Sequence, residues 1–327
     1  MFTHVEIVEN SKYLPTLPFE SFFHSRDLFD VIERTPFMSP CMAIAYDEKG
    51  HVKANLLASL RRLKTWSGFY SFKLARIYGE GVYYPDITYK DKIELFDKLM
   101  EKIMDYLLKH NYFHIEISDI TKKTFGYKTL RKNKFVPIPW MKIHNSLHSK
   151  IPEERIFTST KKLVDESYKL GVVTRETKNE NEISLLYKLI KNFYRLRKQR
   201  YIPHEKFFKA LASKEESHFY ITLYKNKIIG GSVVVDSEKE SMLWFDVALR
   251  KSYKRYHPHE VTLWYAIKET HRRKQDHIHL LNIGLPFNHS SYRDFMLSFG
   301  GKLVSSYRWF RYSNSIINKF MLWHYQM

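Results

Sequence analysis

Between His257 and Tyr312 the sequence changes periodicity in an order that few folds accept. Pro258 to Gln275 sets apolar residues at helical spacing, and a proline at the first helical position already has the right φ. His277-Ile-His-Leu-Leu-Asn-Ile-Gly284 then reads as a short apolar strand. Tyr292-Arg-Asp-Phe-Met-Leu-Ser-Phe-Gly-Gly301 reads as a short helix stopped by glycines, and Lys302 to Tyr312 as an aromatic, basic strand. Helix, strand, short helix, strand is how a sheet covered by helices is closed. The expected fold class is therefore α/β of the mixed, α+β kind.

The same order occurs twice, about 165 residues apart. In the first half, Ser21 to Thr35 reads as helical, strands follow at Cys41–Tyr46, Lys53–Leu60 and Lys73–Tyr78, and an amphipathic helix spans Lys92 to His110. Its apolar face is Ile93, Phe96, Leu99, Met100, Ile103 and Leu107. A strand Tyr112–Ser118, a polar helix ending near Asn133 and a strand Phe135–His144 close that half. The second half offers helices at Glu182–Leu196 and His204–Ala212, then strands Phe219–Tyr224, Ile228–Asp236 and Met242–Leu249. Ile151 to Leu170, opened by Pro152-Glu-Glu, reads as a linking helix. Two domains are expected, residues 1–150 and 151–327, the second including the 151–170 linker helix.

Composition removes several chemistries. Only 11 of 327 residues are glycine, too few for a glycine-rich phosphate loop or dinucleotide fold to be an easy reading. The single Cys41 excludes an internal disulfide framework, and its place in an apolar strand reads as a buried structural thiol. His257, His259, His277 and His279 lack matched cysteine or carboxylate partners, so no metal site is expected. No leader and no run of about 18 apolar residues is present, which makes a cytoplasmic location and no transmembrane segment the expectation. Net charge is +19, concentrated in residues 151–327 with 31 Lys/Arg against 18 Asp/Glu, compared with 23 against 17 in residues 1–150. That excess suits polyanionic partners such as CoA, tRNA or, by peripheral contact, an anionic membrane. In the helix ending near Arg200, an apolar stripe holds the helix down and leaves Arg195, Arg197 and Arg200 as substrate-binding candidates, because a guanidinium fork suits phosphate or carboxylate.

Gly171-Val-Val-Thr-Arg-Glu176, Tyr187 to Arg197, Lys227-Ile-Ile-Gly-Gly-Ser232, His257-Pro-His259 to Ile267, Ile283-Gly284 and Phe295-Met-Leu-Ser-Phe-Gly-Gly301 together resemble the FemAB-like branch of the GNAT superfamily. Phe22-Phe-His-Ser-Arg-Asp-Leu-Phe29 is similar to that family's entry helix. The resemblance implies two tandem GNAT-like domains, each a mostly antiparallel sheet flanked by helices, with residues 1–150 on the acceptor side and 151–327 on the donor side. It implies an N-acyltransferase that moves an acyl or aminoacyl group from acyl-CoA or aminoacyl-tRNA to an amine, on a cell-envelope or polysaccharide precursor. No permanently bound cofactor is implied. Asp246 falls where such domains carry a general base, and Tyr292 where a tyrosine acts as general acid to the leaving group. Lys251, Lys254, Arg255 and His257 fall on the donor's phosphate loop, beside a helix N-terminus, and Arg293 on the substrate side. Three departures stand out: the loop 250–257 contains no glycine, Asn282 replaces a common acidic residue, and Met296 stands where the family commonly has lysine. Met296 cannot stabilise an oxyanion, so the rival reading is a catalytically degenerate pair of domains that binds RNA or anionic lipid.

Overall fold

Alternating apolar residues in the strands and 3.6-residue stripes in the helices give the elements of a computed structural model that describes residues 2–19, 21–64, 71–118, 123–195, 201–281, 283–287 and 290–326. In chain order these are β1 (Phe2–Val8), α1 (Arg26–Glu33), β2 (Met38–Asp47), β3 (Val52–Lys64), β4 (Ser71–Tyr78), β5 (Val82–Tyr83), α2 (Tyr89–Lys109), β6 (His114–Ser118), α3 (Tyr127–Lys132) and β7 (Val136–Ser146). There follow α4 (Thr158–Lys169), β8 (Val173–Glu176), α5 (Glu180–Tyr194), α6 (Glu205–Ala212), β9 (Ser217–Tyr224), β10 (Lys227–Ser237), β11 (Glu240–Ala248), α7 (Pro258–Arg272), β12 (His277–Leu280), α8 (Ser291–Leu297), β13 (Lys302–Tyr312) and α9 (Ser315–Gln326). The mixed α/β class expected from the sequence is what the chain adopts.

The chain divides into two compact units, residues 1–140 with 305–327, and residues 141–304. This differs from a cut at residue 150. Trp309–Tyr312 of β13 pair antiparallel with Ile117–His114 of β6, and Trp309 and Tyr307 pack into the first unit's core. Conversely, Ile143–Ser146 of β7 pair with Leu280–His277 of β12 in the second unit. Both strands mix apolar and polar residues, and the partner each packs against decides its unit.

Within the first unit the strands lie in the order β1-β2-β3-β4-β6-β13, with β5 on β3. Only β4 and β6 among its described pairs are parallel, and a parallel neighbour needs a crossover, supplied here by α2. Phe96, Leu99, Met100, Ile103 and Leu107 of α2 are buried against Leu56, Ala58, Ile77, Ile115 and Ile117. Ile93, expected on that face, lies at its rim and is exposed. Cys41 is fully buried, and burial pushes its thiol pKa up, as a structural thiol requires.

The second unit repeats the plan as β7-β12-β11-β10-β9-β8, with β11 and β12 parallel across α7. Lys225 and Asn226 at positive φ make the tight β9–β10 hairpin. Gly230 and Gly231 on β10 are glycines for want of room. A Cβ on Gly230 would lie 2.7 Å from Thr262 Oγ1 of α7, and one on Gly231 2.6 Å from Leu186 Cδ1 of α5. The two helices thus press on opposite faces of β10, and α7 is held close to β11.

Candidate active site

The described β11–β12 ladder ends at Leu243–Leu280, whereas β11 continues to Ala248. Where that ladder stops, β11 also bulges: Phe245 pairs with Val233 and Leu243 with Val234, leaving Trp244 as the extra residue. Bulges re-aim side chains and recur beside active sites. Asp246 lies two residues beyond, 5% exposed, opposite Ser232 on the face against α7.

Three elements converge on its carboxyl group. Pro258 opens α7 after His257, which holds φ +36, so His259 is the second residue of the helix. His259 is 2% exposed and its Nε2 lies 2.8 Å from Asp246 Oδ2. From α8, Tyr292 brings its hydroxyl to 3.5 and 3.4 Å from the two carboxylate oxygens. One turn along, the Phe295 ring packs on His259 at 4.6 Å between centroids. From the end of α5, the Tyr194 hydroxyl donates to the backbone carbonyl of Asp246 at 3.1 Å. A buried carboxylate needs such partners, since an unpaired one is strongly disfavoured.

The glycine pair of the sequence signature positions α8. Gly300 and Gly301 have φ +94 and +97, a region that L side chains avoid, and a Cβ on Gly300 would lie 2.7 Å from Arg155 Cβ. They turn the chain out of α8 while Met296 and Phe299 enter the core. Met296 is fully buried among Leu263, Ile267, Ile278 and Leu280. A lysine at that position would be a buried charge; Arg250 instead lies over the Phe295 ring, its guanidinium carbon 5.3 Å from the centroid.

Between β11 and α7, Lys251, Lys254 and Arg255 are exposed and His257 is half-buried. The loop is pinned by its tyrosines. Tyr253 and Tyr256 pack with Tyr224 against Val172, Ile229 and Val261, and Tyr256 donates to the Tyr224 hydroxyl at 2.8 Å. The cations are left facing water next to the free amides of α7, the arrangement that holds phosphates. A concavity of about 720 Å³, lined by Val173, Arg175, Glu182, Tyr224 and Lys225 among others, opens at the β8–β9 edge. It shares Tyr224 with the loop but contains none of Asp246, His259 and Tyr292.

Of the sequence-derived candidates, Asp246 and Tyr292 meet, and the four loop residues lie together on one connection. Arg195 is exposed at the end of α5, directly after Tyr194. Arg197 and Arg200 lie outside the described residues, as does Asn282. Arg293 spends one guanidinium nitrogen on the Leu285 carbonyl and so ties α8 to the preceding loop. From sequence alone His259 is weighed only as a metal ligand and Arg250 only as part of the donor loop, and Tyr194 is given no role. For His259 the available signal was Pro258, which fixes the start of α7 and hence the turn that faces β11. Among the described residues no group of three or more His, Cys, Asp or Glu side chains is arranged to hold a metal ion.

Residues 158–289 match the family model described as an acetyltransferase (GNAT) domain. Among solved structures, the chain is similar to FemX, with 10% identity and a TM-score of 0.63 over 93% of this chain and 95% of that one. It is similar to L-PGS from Bacillus licheniformis, with 8% identity and a TM-score of 0.58 over 90% of each chain. A tandem GNAT protein from the clavulanic acid biosynthesis pathway has 9% identity and a TM-score of 0.55 over 95% of this chain and 99% of that one. At these identities the structural likeness speaks for the fold. The comparison with curated proteins finds no match.

Proposed function

We propose that this GNAT-superfamily acyltransferase, similar in fold to FemX and to a tandem GNAT protein, moves an acyl or aminoacyl group from a phosphate-bearing donor to an amine, with Asp246 as base. The observation that carries the proposal is the buried carboxylate of Asp246, bonded by His259 and approached by Tyr292, at the point where β11 runs beyond its ladder with β12. The donor is an acyl-CoA or an aminoacyl-tRNA, its phosphates held by Lys251, Lys254, Arg255, His257 and the first amides of α7. A contrast between the units supports assigning the donor to the second. Its β11–α7 connection, residues 250–257, has four Lys/Arg and no acid, whereas the corresponding connection of the first unit, residues 79–88, has Glu80 and Asp86 and no Lys or Arg. The first unit is then the acceptor side, and the acceptor an amine on a cell-envelope or polysaccharide precursor.

In this mechanism the amine arrives as ammonium and gives a proton to Asp246. Its nitrogen attacks the acyl carbonyl carbon; the C–N bond forms as the C–S bond of a thioester, or the C–O bond of an aminoacyl ester, breaks. Tyr292 protonates the departing sulfur or oxygen and recovers the first proton from Asp246 Oδ1, 3.5 Å from its hydroxyl, while the second proton of the attacking nitrogen is released to solvent as the amide forms. His259 holds the other carboxylate oxygen, Oδ2, in place at 2.8 Å, and Arg250 stabilises the oxyanion in the absence of the lysine that Met296 replaces.

Thermal unfolding with acetyl-CoA, longer acyl-CoAs and bulk aminoacyl-tRNA tests the donor site. A donor at a hundredfold excess over its Kd stabilises by about 2.7 kcal/mol. One of the donor classes should raise Tm, and a Lys254→Glu, Arg255→Glu variant should lose the response. Absence of stabilisation by every donor would sink the proposal.

A further inference from the structure

We infer that α9 and the adjoining end of the first unit's sheet form a docking surface for an anionic lipid bilayer, a property independent of the transfer chemistry in the second unit. The helix presents Ile316, Phe320 and Trp323 at i, i+4 and i+7, exposed by 73%, 55% and 59%. Ile317, Asn318 and Met321 on its other side are half-buried. Apolar side chains set in one stripe on a fixed helix, rather than scattered, mark a surface made to be covered.

The helix is fastened to the sheet. Asn314 Oδ1 accepts from the Ile316 amide at 2.8 Å, and Asn318 Oδ1 accepts from the Tyr312 amide at the end of β13 at 2.8 Å. Beside Tyr312 the surface continues: the Phe113 ring lies 5.7 Å from Tyr312, and exposed Phe72 lies 5.1 Å from Phe113.

Charge selects the partner. Four segments meet at this end: residues 60–64 of β3, 71–74 of β4, 108–114 leading into β6, and 311–324. Arg62 pairs with Lys73 and Leu74 with His114 in the ladders, His114 pairs with Tyr312, and the Lys73 ammonium donates to the His110 carbonyl. Together the segments carry Arg61, Arg62, Lys73, Lys109, Arg311 and Lys319, with no Asp or Glu. An apolar stripe of Trp, Phe and Ile flanked by cations is what an interfacial helix needs on anionic lipid. Twelve residues rise about 18 Å, short of the ~30 Å hydrocarbon core, so α9 lies along the bilayer rather than through it. Among the described residues no helix is long and apolar enough to cross one. Ile316, the most exposed residue of the stripe, has no ring for a base to stack on, which favours lipid over RNA.

Co-sedimentation of the full chain with phosphatidylcholine vesicles, with and without an equal part of phosphatidylglycerol, tests this. The chain should pellet with the anionic vesicles, release at high salt, and stay in solution with phosphatidylcholine alone. An Ile316→Ser, Phe320→Ser, Trp323→Ser variant should partition at least about tenfold more weakly with an unchanged Tm. Lys319→Glu should weaken binding several-fold without touching the apolar stripe. The inference is overturned if the wild type ignores anionic vesicles or if the triple variant pellets as the wild type does. It is equally overturned if the triple change abolishes self-association or tRNA retention on filters while vesicle binding persists.

Discussion

One oxygen of Asp246 is committed to His259, and both face the Tyr292 hydroxyl at the edge of normal hydrogen-bond distance. Replacing the carboxylate by an amide keeps the shape and removes the proton acceptor. Asp246→Asn is therefore expected to lower kcat by about 10²-fold or more while donor-induced stabilisation persists; unchanged turnover would remove Asp246 from the chemistry. Tyr292→Phe tests the other half of the relay through its leaving group. The rate should fall with an alkyl thioester, and the loss should shrink when the donor is an aryl thioester whose thiolate leaves without protonation. A loss equal for both donors would argue that the tyrosine only positions Asp246. The sequence could suggest these two residues because the family resemblance places a base in the aromatic strand that holds Asp246 and an acid at the start of the glycine-terminated helix that holds Tyr292. It could not show that His259 completes the group, because that contact depends on how closely α7 sits on β11. Nor could it show that Met296 faces the core while Arg250 reaches over Phe295.

Gly230 admits α7 on one face of β10, and Gly231 sets in the same way how closely α5 sits on the other. An alanine at Gly231 would bring its Cβ to 2.6 Å from Leu186 Cδ1 and 2.7 Å from the Tyr220 carbonyl oxygen, and the latter is backbone in the next strand. Because the backbone oxygen cannot yield as a side chain can, Gly231→Ala should cost about 1–3 kcal/mol in urea unfolding. A variant as stable as the wild type would mean that α5 can lift off the sheet freely. Most strands and helices of both units were legible from periodicity, including the α2 and α7 crossovers and the strands β9 to β11. The elements that sequence reading passed over share a cause. β8 is four residues long, too short to show a period, so it cannot point to β1, its counterpart in the first unit, and α9 lies outside the repeated plan, where no second copy points to it. β13 was read as a strand, but strand character alone does not say whether its partner is β6 or a strand of its own half.

Across the whole molecule, several histidines are held neutral, and this gives stability a definite direction with pH. Burial lowers the pKa of His24 to about 4. Burial, helped by Arg61 and Arg76 and opposed by Glu116, does the same for His114, also to about 4. In the second unit, burial and the neighbouring His279 and His277 lower His144 to about 4, and burial lowers His277. His218 goes the other way: burial would lower it, but its bonds to Asp236 and Glu176 prevail and raise it. An unfolded histidine binds its proton near pH 6.5, whereas His24, His114 and His144 in the folded chain wait until about pH 4 and His277 is lowered in the same direction. Between these values the unfolded chain holds more protons, so stability contributed by the lowered group falls as pH drops from 6.5 to 4, by at most about 1.4 kcal/mol per pH unit for the buried His24 and His114 and by less for His144 and His277, which solvent screens. His218 contributes with the opposite sign, its stabilisation being complete below pH 6.5 and lost as pH rises through its folded value. One group against four leaves the net slope with the lowered set. Tm should therefore decline between pH 7 and pH 5, before Asp47 and Glu240, both lowered to about 2, begin to titrate in the folded state. His114→Gln should flatten that decline, since it removes one group without adding a titrating one. A Tm constant over this range, or a His114→Gln variant with the wild-type slope, would show that these histidines take up protons in the folded chain as readily as in the unfolded one.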